Sequence, residues 1–509
     1  MRTAAKVVFN TVVLYAKIIV SMAISLVSVP LILKALGASD YGLYNLIAGV
    51  VAMLSFLNNS LAVSSQRYMS VAMGTNDTTR VNDVFNASFK IHLILGVVLV
   101  FLLELGSFFI DKLNIEPDRI ATALIIYQSL IISSFFKIIN VPFNAITNAH
   151  EDMLAFSLID VADSLLMLGL AYSLHFLPFD KLVFYGYGVT LISVCYFLMF
   201  YLWTRHAYKA FRISFKKTND RTLIKEMFGF SGWNVLGGVA VVGRNQGVAI
   251  IINIFLGTIA NAAYGVANHI NGALLHFTAT FQKAINPQLM KSEGMNDRNR
   301  MHRISFISSK FSVLALCFFT IPLIIEMREV LHLWLRDNIP PFTIELSQFI
   351  LLFSIVYQYS SGIMSSIQAS GIIRNYQIIM SIIILLNIPV CYILLKYGYP
   401  IYYVTAAYVI IELISLVVRI FLAHRITGMV VSDYIYAVVK PTLIIIIIST
   451  IACLVPHYLL EEGFTRLIVT CFVYGLFYFA LVWRFAFDSH QRLMISKSIR
   501  TFLNKKSGR

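Results

Sequence analysis

Charge is scarce in this chain of 509 residues: Asp, Glu, Lys and Arg together make up 13% of it, against 58% apolar residues. Soluble globular domains carry about 25% charged residues, so a water-soluble fold of this size is excluded. Cysteine is scarcer still. Cys195, Cys317, Cys391, Cys453 and Cys471 all fall in apolar stretches with no close pair and no Cys/His spacing, which argues against a disulfide framework or a zinc module and leaves them as small core residues. Among the scattered histidines only His269 and His276 share a helical face, and without a third ligand they read as structural or cavity-lining. No Gly-rich phosphate loop is present, so ATP hydrolysis is not expected of this chain, and no cofactor or metal is implied. Alternation of apolar and polar residues over ten-residue units is also missing. Runs such as Thr442 to Ile448 are apolar on every face, which rules against a β-barrel.

What remains is a series of roughly 14 apolar stretches, each near or above the ~20 residues that cross a bilayer as a helix. They lie at 7–33, 41–66, 84–110, 120–148, 153–174, 182–203, 227–256, 258–290, 304–327, 342–369, 376–396, 401–423, 441–460 and 466–485. The expected fold is an all-α polytopic membrane protein. The first stretch exceeds a secretory h-region and ends in Pro30, Leu31 and Ile32 in place of a small-residue cleavage site, so it is expected to remain as a helix.

Basic residues set the orientation. With the amino terminus inside, about 25 Lys/Arg fall on the cytoplasmic side, about 8 outside and about 7 within spans, which predicts that both termini are cytoplasmic. The net charge of +15 comes mainly from 205–225, 291–303 and the tail 484–509. This distribution fits membrane topology and anionic lipids, and nucleic acid is not an expected partner. In the first segment Tyr208, Phe211 and Phe215 interleave with Lys209, Arg212, Lys216 and Lys217, which suits an amphipathic helix on an anionic leaflet or an ordinary topology-fixing loop.

The chain also echoes itself. Leu36-Gly37 followed by Tyr41-Gly42 returns as Leu256-Gly257 followed by Tyr264-Gly265, at offsets of 220 and 223, and Ile146-Thr147-Asn148-Ala149 pairs with Ile367-Gln368-Ala369-Ser370 at 221. Six helices separate the copies, so both run the same way, the parallel-repeat plan in which two lobes flank a central site. The expected organisation is a six-helix lobe at 1–203, a basic cytoplasmic linker at 204–226, a second six-helix lobe at 227–423, two additional transmembrane helices at 424–485 and a basic tail at 486–509.

Cations inside the apolar stretches are the candidate site: Lys17, Lys90, Lys137, Arg244, Lys283 and Lys310. A charge at bilayer depth faces a cavity, a partner or a polar substrate. Lys17 and Arg244 lie deepest, in the first helix of each lobe, and the alternative for each is an ion pair with Asp160, Asp163 or Glu104. Asp160 and Asp163 share one face of a helix and suit either neutralisation of a lysine or coupling to a proton or sodium ion. Glu412 stands two turns from Arg419, a spacing that equally suits a packed polar face. Asn234, Asn245, Asn253, Asn261, Asn268 and Asn271 offer carboxamides to hydroxyl groups or to neighbouring helices, Gly243 and Gly247 mark close helix packing, and Pro30, Pro142, Pro287, Pro322 and Pro389 permit bends.

With Asn10, Tyr15, Pro30, Leu36-Gly37 and Tyr41-Gly42-Leu43-Tyr44, the start of the chain resembles bacterial polysaccharide flippases of the Wzx or O-antigen translocase type, members of the multidrug/oligosaccharidyl-lipid/polysaccharide exporter superfamily. The stretch from Gly232 through Arg244-Asn245 to Leu256-Gly257 fits the same pattern, so the resemblance covers 1–423. It implies a MATE-like fold in the bacterial inner membrane and a carrier that moves an undecaprenyl-diphosphate-linked oligosaccharide from the inner to the outer leaflet, for O-antigen, capsule or another surface glycan, alongside other polysaccharide assembly proteins. An intramembrane excess of bases favours such an anionic cargo. The alternatives are a MATE-type drug or cation antiporter and, from another class, a membrane glycosyltransferase or polysaccharide polymerase. The short outward loops argue against an enzyme, and Glu116-Pro117-Asp118 is read as a solvated turn.

Overall fold

The computed structural model describes residues 3–52, 55–75, 77–108, 110, 117–176, 178, 180–208, 221–335 and 339–487. Residues 488–509 of the basic tail, residues 209–220 of the linker with most of its interleaved aromatic residues, and Glu116 lie outside these.

The first half comprises α1 (Thr3–Ala52), α2 (Ser55–Gly74), α3 (Thr78–Ser107), α4 (Ile120–Ile139), α5 (Val141–Ala149), α6 (Met153–Ser173) and α7 (Lys181–Ala207). The second comprises α8 (Arg221–Gly294), α9 (Arg298–Ile325), α10 (Met327–Leu335), α11 (Thr343–Tyr359), α12 (Ser361–Ser370), α13 (Arg374–Leu385), α14 (Asn387–Lys396) and α15 (Tyr402–Thr427), followed by α16 (Val431–Tyr434), α17 (Lys440–Leu459) and α18 (Phe464–Leu481). No strand occurs among the described residues. Carboxylates cap three of the N-termini: Asp77 accepts from the amides of Thr79 and Arg80, Asp180 from Leu182 and Val183, and Asp152 from Ala155.

Among the described residues eleven helices are long and apolar enough to cross a membrane, and the bent pair α11–α12 makes twelve. These coincide with twelve of the fourteen apolar stretches. The other two, 41–66 and 258–290, follow the kinks at Gly37 and Gly257. The latter carries Asn261, Asn268, Asn271, Gln282, Lys283 and Gln288, too polar a set for a lipid-facing span.

The duplication has a physical signature. Gly37 (φ 79°, ψ 168°) and Gly257 (φ 80°, ψ −173°) break α1 and α8 in a region that glycine alone occupies readily. The α4/α5 break at Asn140 and the α11/α12 break at Ser360 are likewise 220 residues apart, as are the left-handed turns at Glu151 and Gly371. In this register Tyr44, and not Tyr41, corresponds to Tyr264: Tyr44 meets Tyr185 edge-on at 4.9 Å, and the hydroxyl of Tyr264 lies 3.0 Å from that of Tyr408.

The helices form two compact units. Unit 1 is Met1–Val239 with Lys283–Met301 and Gly371–Ile378, and unit 2 is Ala240–Gln282, His302–Ser370 and Ile379–Arg509. Aromatic edges organise unit 1, where Phe143 packs against Phe85, Phe89, Phe197 and Tyr201. In unit 2 the core gathers Val248, Ile252, Tyr264, Ile350, Phe353 and Tyr408. Helices α17 and α18 pack on each other and are tied to α9 by polar contacts. Tyr474 and Tyr478 donate to the carbonyls of Cys317 and Leu314, while Glu326, fully buried at the end of α9, receives Arg466 (2.9 Å), His457 (2.9 Å) and the hydroxyl of Thr470 (3.1 Å). Cys317, Cys391 and Cys453 are core residues as expected, whereas Cys195 is half-buried and Cys471 exposed.

Candidate functional site

Unit 2 holds a partly open cavity of about 650 Å³. Two stretches of α8 build much of it. The turn carrying Arg244 and Asn245 precedes the Gly257 kink, and Asn261, Tyr264, Asn268 and Asn271 follow it at helical spacing. Phe353 and Tyr357 of α11 and Tyr408, Glu412 and Arg419 of α15 close the opposite wall.

Among the described residues no carboxylate pairs with Arg244. Its Nε and Nη2 donate to Oδ1 of Asn245 at 3.0 and 2.9 Å, and its guanidinium lies over the rings of Phe353 and Tyr408 at 5.1 and 5.2 Å. Aromatic faces stabilise the cation while its remaining N–H groups stay available. Arg419, by contrast, is buried against Glu412, donates to Ser360 at 3.0 Å and lies over Tyr357. The Glu412–Arg419 pair cancels its own charge, so the ionisable residues lining the cavity leave a formal charge of +1 on Arg244. Several amides are already in use: Asn271 accepts from Ser354 and Asn268 donates to the carbonyl of Tyr264.

Unit 1 holds a second polar cluster. Lys17 of α1 pairs with Asp160 of α6 at 2.5 Å, the ion-pair alternative for both residues, and Tyr196 donates to the other oxygen of Asp160 at 2.8 Å. Lys283 stands 3.5 Å from the centroid of Phe156, on whose ring Lys17 also lies at 5.6 Å. No acidic oxygen lies within 4 Å of Lys283 or Arg244 among the described residues. Asp163 sits one turn beyond Asp160 and is half-buried.

The other sequence candidates go elsewhere. Lys310 donates to the carbonyl of Ala486 at 2.8 Å, near α18 and outside the cavity lining. Lys137 is exposed in the last turn of α4, Lys90 is half-buried on α3, and Glu104 accepts from Gln128 at 2.9 Å. His269 and His276 are both exposed, and no group of three His, Cys, Asp or Glu able to hold a metal occurs among the described residues. In the sequence Tyr264 stands out only as part of the internal repeat, and Phe353, Tyr357, Tyr408 and Phe156 do not stand out at all. With 26 Tyr and 38 Phe in the chain, composition offers no means of choosing them. The other signal is the helical spacing of Tyr264 from Asn261, Asn268 and Asn271.

The fold is shared with solved transporters. A point mutant of a MATE protein superposes with a TM-score of 0.73 at 16% identity, covering 83% of this chain and 96% of that one. A MOP superfamily transporter from Pyrococcus furiosus, described for the reverse polarity of its binding pocket, gives 0.72 at 15%, covering 84% and 96%. An outward-facing multidrug resistance MATE family transporter of the MOP superfamily gives 0.70 at 17%, covering 83% and 95%. No curated protein matches the chain by sequence. The polysaccharide biosynthesis protein family matches residues 7–293, more than half of the chain. The chain is therefore a multi-pass membrane protein of MATE-like fold that belongs to the polysaccharide biosynthesis protein family, in keeping with the Wzx-type resemblance of its sequence.

Proposed function

We propose that the protein is a flippase that carries a polyprenyl-diphosphate-linked oligosaccharide from the cytoplasmic to the outer leaflet of the bacterial inner membrane by alternating access, with both termini cytoplasmic. One observation carries this reading: the unit 2 cavity combines amides and tyrosines with Arg244, a cation held on aromatic rings and without a carboxylate within 4 Å among the described residues. A diphosphate or another anionic group of the cargo would receive charge-assisted, bidentate hydrogen bonds from the free edge of the guanidinium. Carboxamides and phenols offer donors and acceptors to sugar hydroxyls, and ring faces cover their apolar sides. A cationic drug would meet the same guanidinium as a repulsive neighbour, so the antiporter alternative fits this cavity less well. Family and fold are those of transporters, which counts against a glycosyltransferase or polymerase.

In unit 1, Lys283 is the cation best placed to meet an anion, while Lys17 is neutralised by Asp160. The test is flipping of a fluorescent polyprenyl-diphosphate oligosaccharide in proteoliposomes. Arg244→Ala is expected to weaken cargo binding by about 10- to 150-fold, the range for one charge-assisted hydrogen bond of about 1.5–3 kcal/mol, and Arg244→Lys to recover part of it. Unchanged flipping in Arg244→Ala would contradict the assignment.

A further inference from the structure

At the end of unit 1 opposite the kink at Gly37, Glu151 fills the turn between α5 and α6 with a left-handed backbone, φ 59°, and is 4% exposed. Side chains other than Gly, Asn and Asp seldom occupy that conformation, and the matching turn of the second repeat uses Gly371 at φ 80°. Strain of this kind persists where surrounding contacts over-determine it. Here the contacts are specific. One carboxylate oxygen lies 2.5 Å from the ammonium of Lys291, the other accepts from Gln288 at 2.5 Å, and Lys6 stands 3.6 Å away. The last turns of α8 and the first turns of α1 thus converge on one buried carboxylate. Beside it α2 and α8 meet backbone to backbone. A Cβ on Gly74 would lie 2.3 Å from the carbonyl oxygen of Lys291, and one on Gly294 would lie 2.1 Å from that of Val71.

We propose that Glu151 is a latch: it clamps the end of α8 against α1 and α2 and closes the cytoplasmic end of unit 1, and its release is the step that admits cargo from that side. The inference rests on the transport reading and on the orientation set by basic residues. An ion-pair latch suits a reversible closure, because hydration of Glu151 and Lys291 on opening offsets the attraction lost. The two glycines permit close contact without apolar side chains that would hold the seal shut.

The experiment uses the full chain with its five cysteines replaced by alanine and a reporter Ser292→Cys, a buried position whose hydroxyl bonds to the carbonyl of Gln288. A membrane-impermeant maleimide is added to inside-out vesicles. Glu151→Gly relieves the left-handed backbone yet removes the latch, and Gly74→Val wedges the contact. Both are expected to speed labelling at least about tenfold, equivalent to about 1.4 kcal/mol of closing free energy. Glu151→Lys combined with Lys291→Glu restores the slow rate, and Ser133→Cys, between α4 and α7, stays protected throughout. An unchanged rate in Glu151→Gly overturns the latch. So does faster labelling at both reporters without recovery in the swap, which would make Glu151 a prop of the fold, and so does labelling from the outer face of right-side-out vesicles. No cargo enters the assay, so a chain that flips nothing but behaves in this way loses the cargo reading and keeps the latch.

Discussion

Glu326 is the residue whose removal should cost the fold most. It is fully buried and its two oxygens satisfy Arg466, His457 and Thr470, so Glu326→Ala leaves Arg466 unpaired in a low-dielectric interior. Breaking a buried pair from one side costs about 3–5 kcal/mol, whereas replacing both partners by apolar residues is often near neutral. Thermal unfolding in detergent should therefore fall sharply for Glu326→Ala and much less for Glu326→Leu combined with Arg466→Met; equal losses would contradict the pairing. Ion pairs of this kind were only partly legible in the sequence. Glu412 and Arg419 stand two turns apart on one helix, a spacing that reads as a packed polar face, and the structure makes the two an ion pair. Lys17 and Asp160 are 143 residues apart, and the sequence supplied the partners without deciding between a pair and a cavity. Glu326 sits at the edge of the stretch 304–327, where a carboxylate reads as interfacial, and nothing local marks it as buried.

Kinked helices carry the architecture at the next scale. Gly37 and Gly257 hold a backbone that side chains strain to adopt, although open space surrounds both positions. Gly257→Ala and Gly37→Ala should each lower stability by about 1–3 kcal/mol through the backbone alone. Gly243→Ala is the control: in helical backbone its new methyl would meet only Leu385 at 3.7 Å, an ordinary contact, so its melting temperature should stay near that of the parent. Equal melting temperatures for all three would remove the strain argument. The boundary between 227–256 and 258–290 fell on Gly257 because glycine and hydropathy change together there. The break at Asn140 was legible in part, since Pro142, one of the prolines expected to permit bends, stands in the first turn of α5; the break at Ser360 was not, since neither glycine nor proline occupies it and the apolar pattern runs through it.

For the whole molecule, hydropathy and the repeated Leu-Gly elements were enough to give an all-helical, duplicated membrane protein, because lipid forces backbone hydrogen bonds to close within each helix. The site was legible in part. The deepest cations in the sequence are Lys17 and Arg244: Arg244 lines the unit 2 cavity with asparagines of the second repeat, Lys17 is paired with Asp160, and Lys283 was only one of four further candidates, while the aromatic rings beside these cations come from helices far apart in sequence. Lys310 shows the limit: it lies at apparent membrane depth, yet its ammonium is taken by a carbonyl near α18. The compact units are also discontinuous, since the end of α8 and the start of α9 belong to unit 1, and no reading of consecutive residues shows that.

The most direct measurement is the leaflet accessibility of a fluorescent polyprenyl-diphosphate oligosaccharide in proteoliposomes containing the full chain, Arg244→Ala or Lys283→Ala, with the glycan length checked at the end. Flipping that depends on the protein, is lost at least about tenfold in Arg244→Ala, and leaves the glycan unextended is the predicted result. Vesicles that flip nothing but exchange an organic cation for protons, or that return a lengthened glycan, would contradict it.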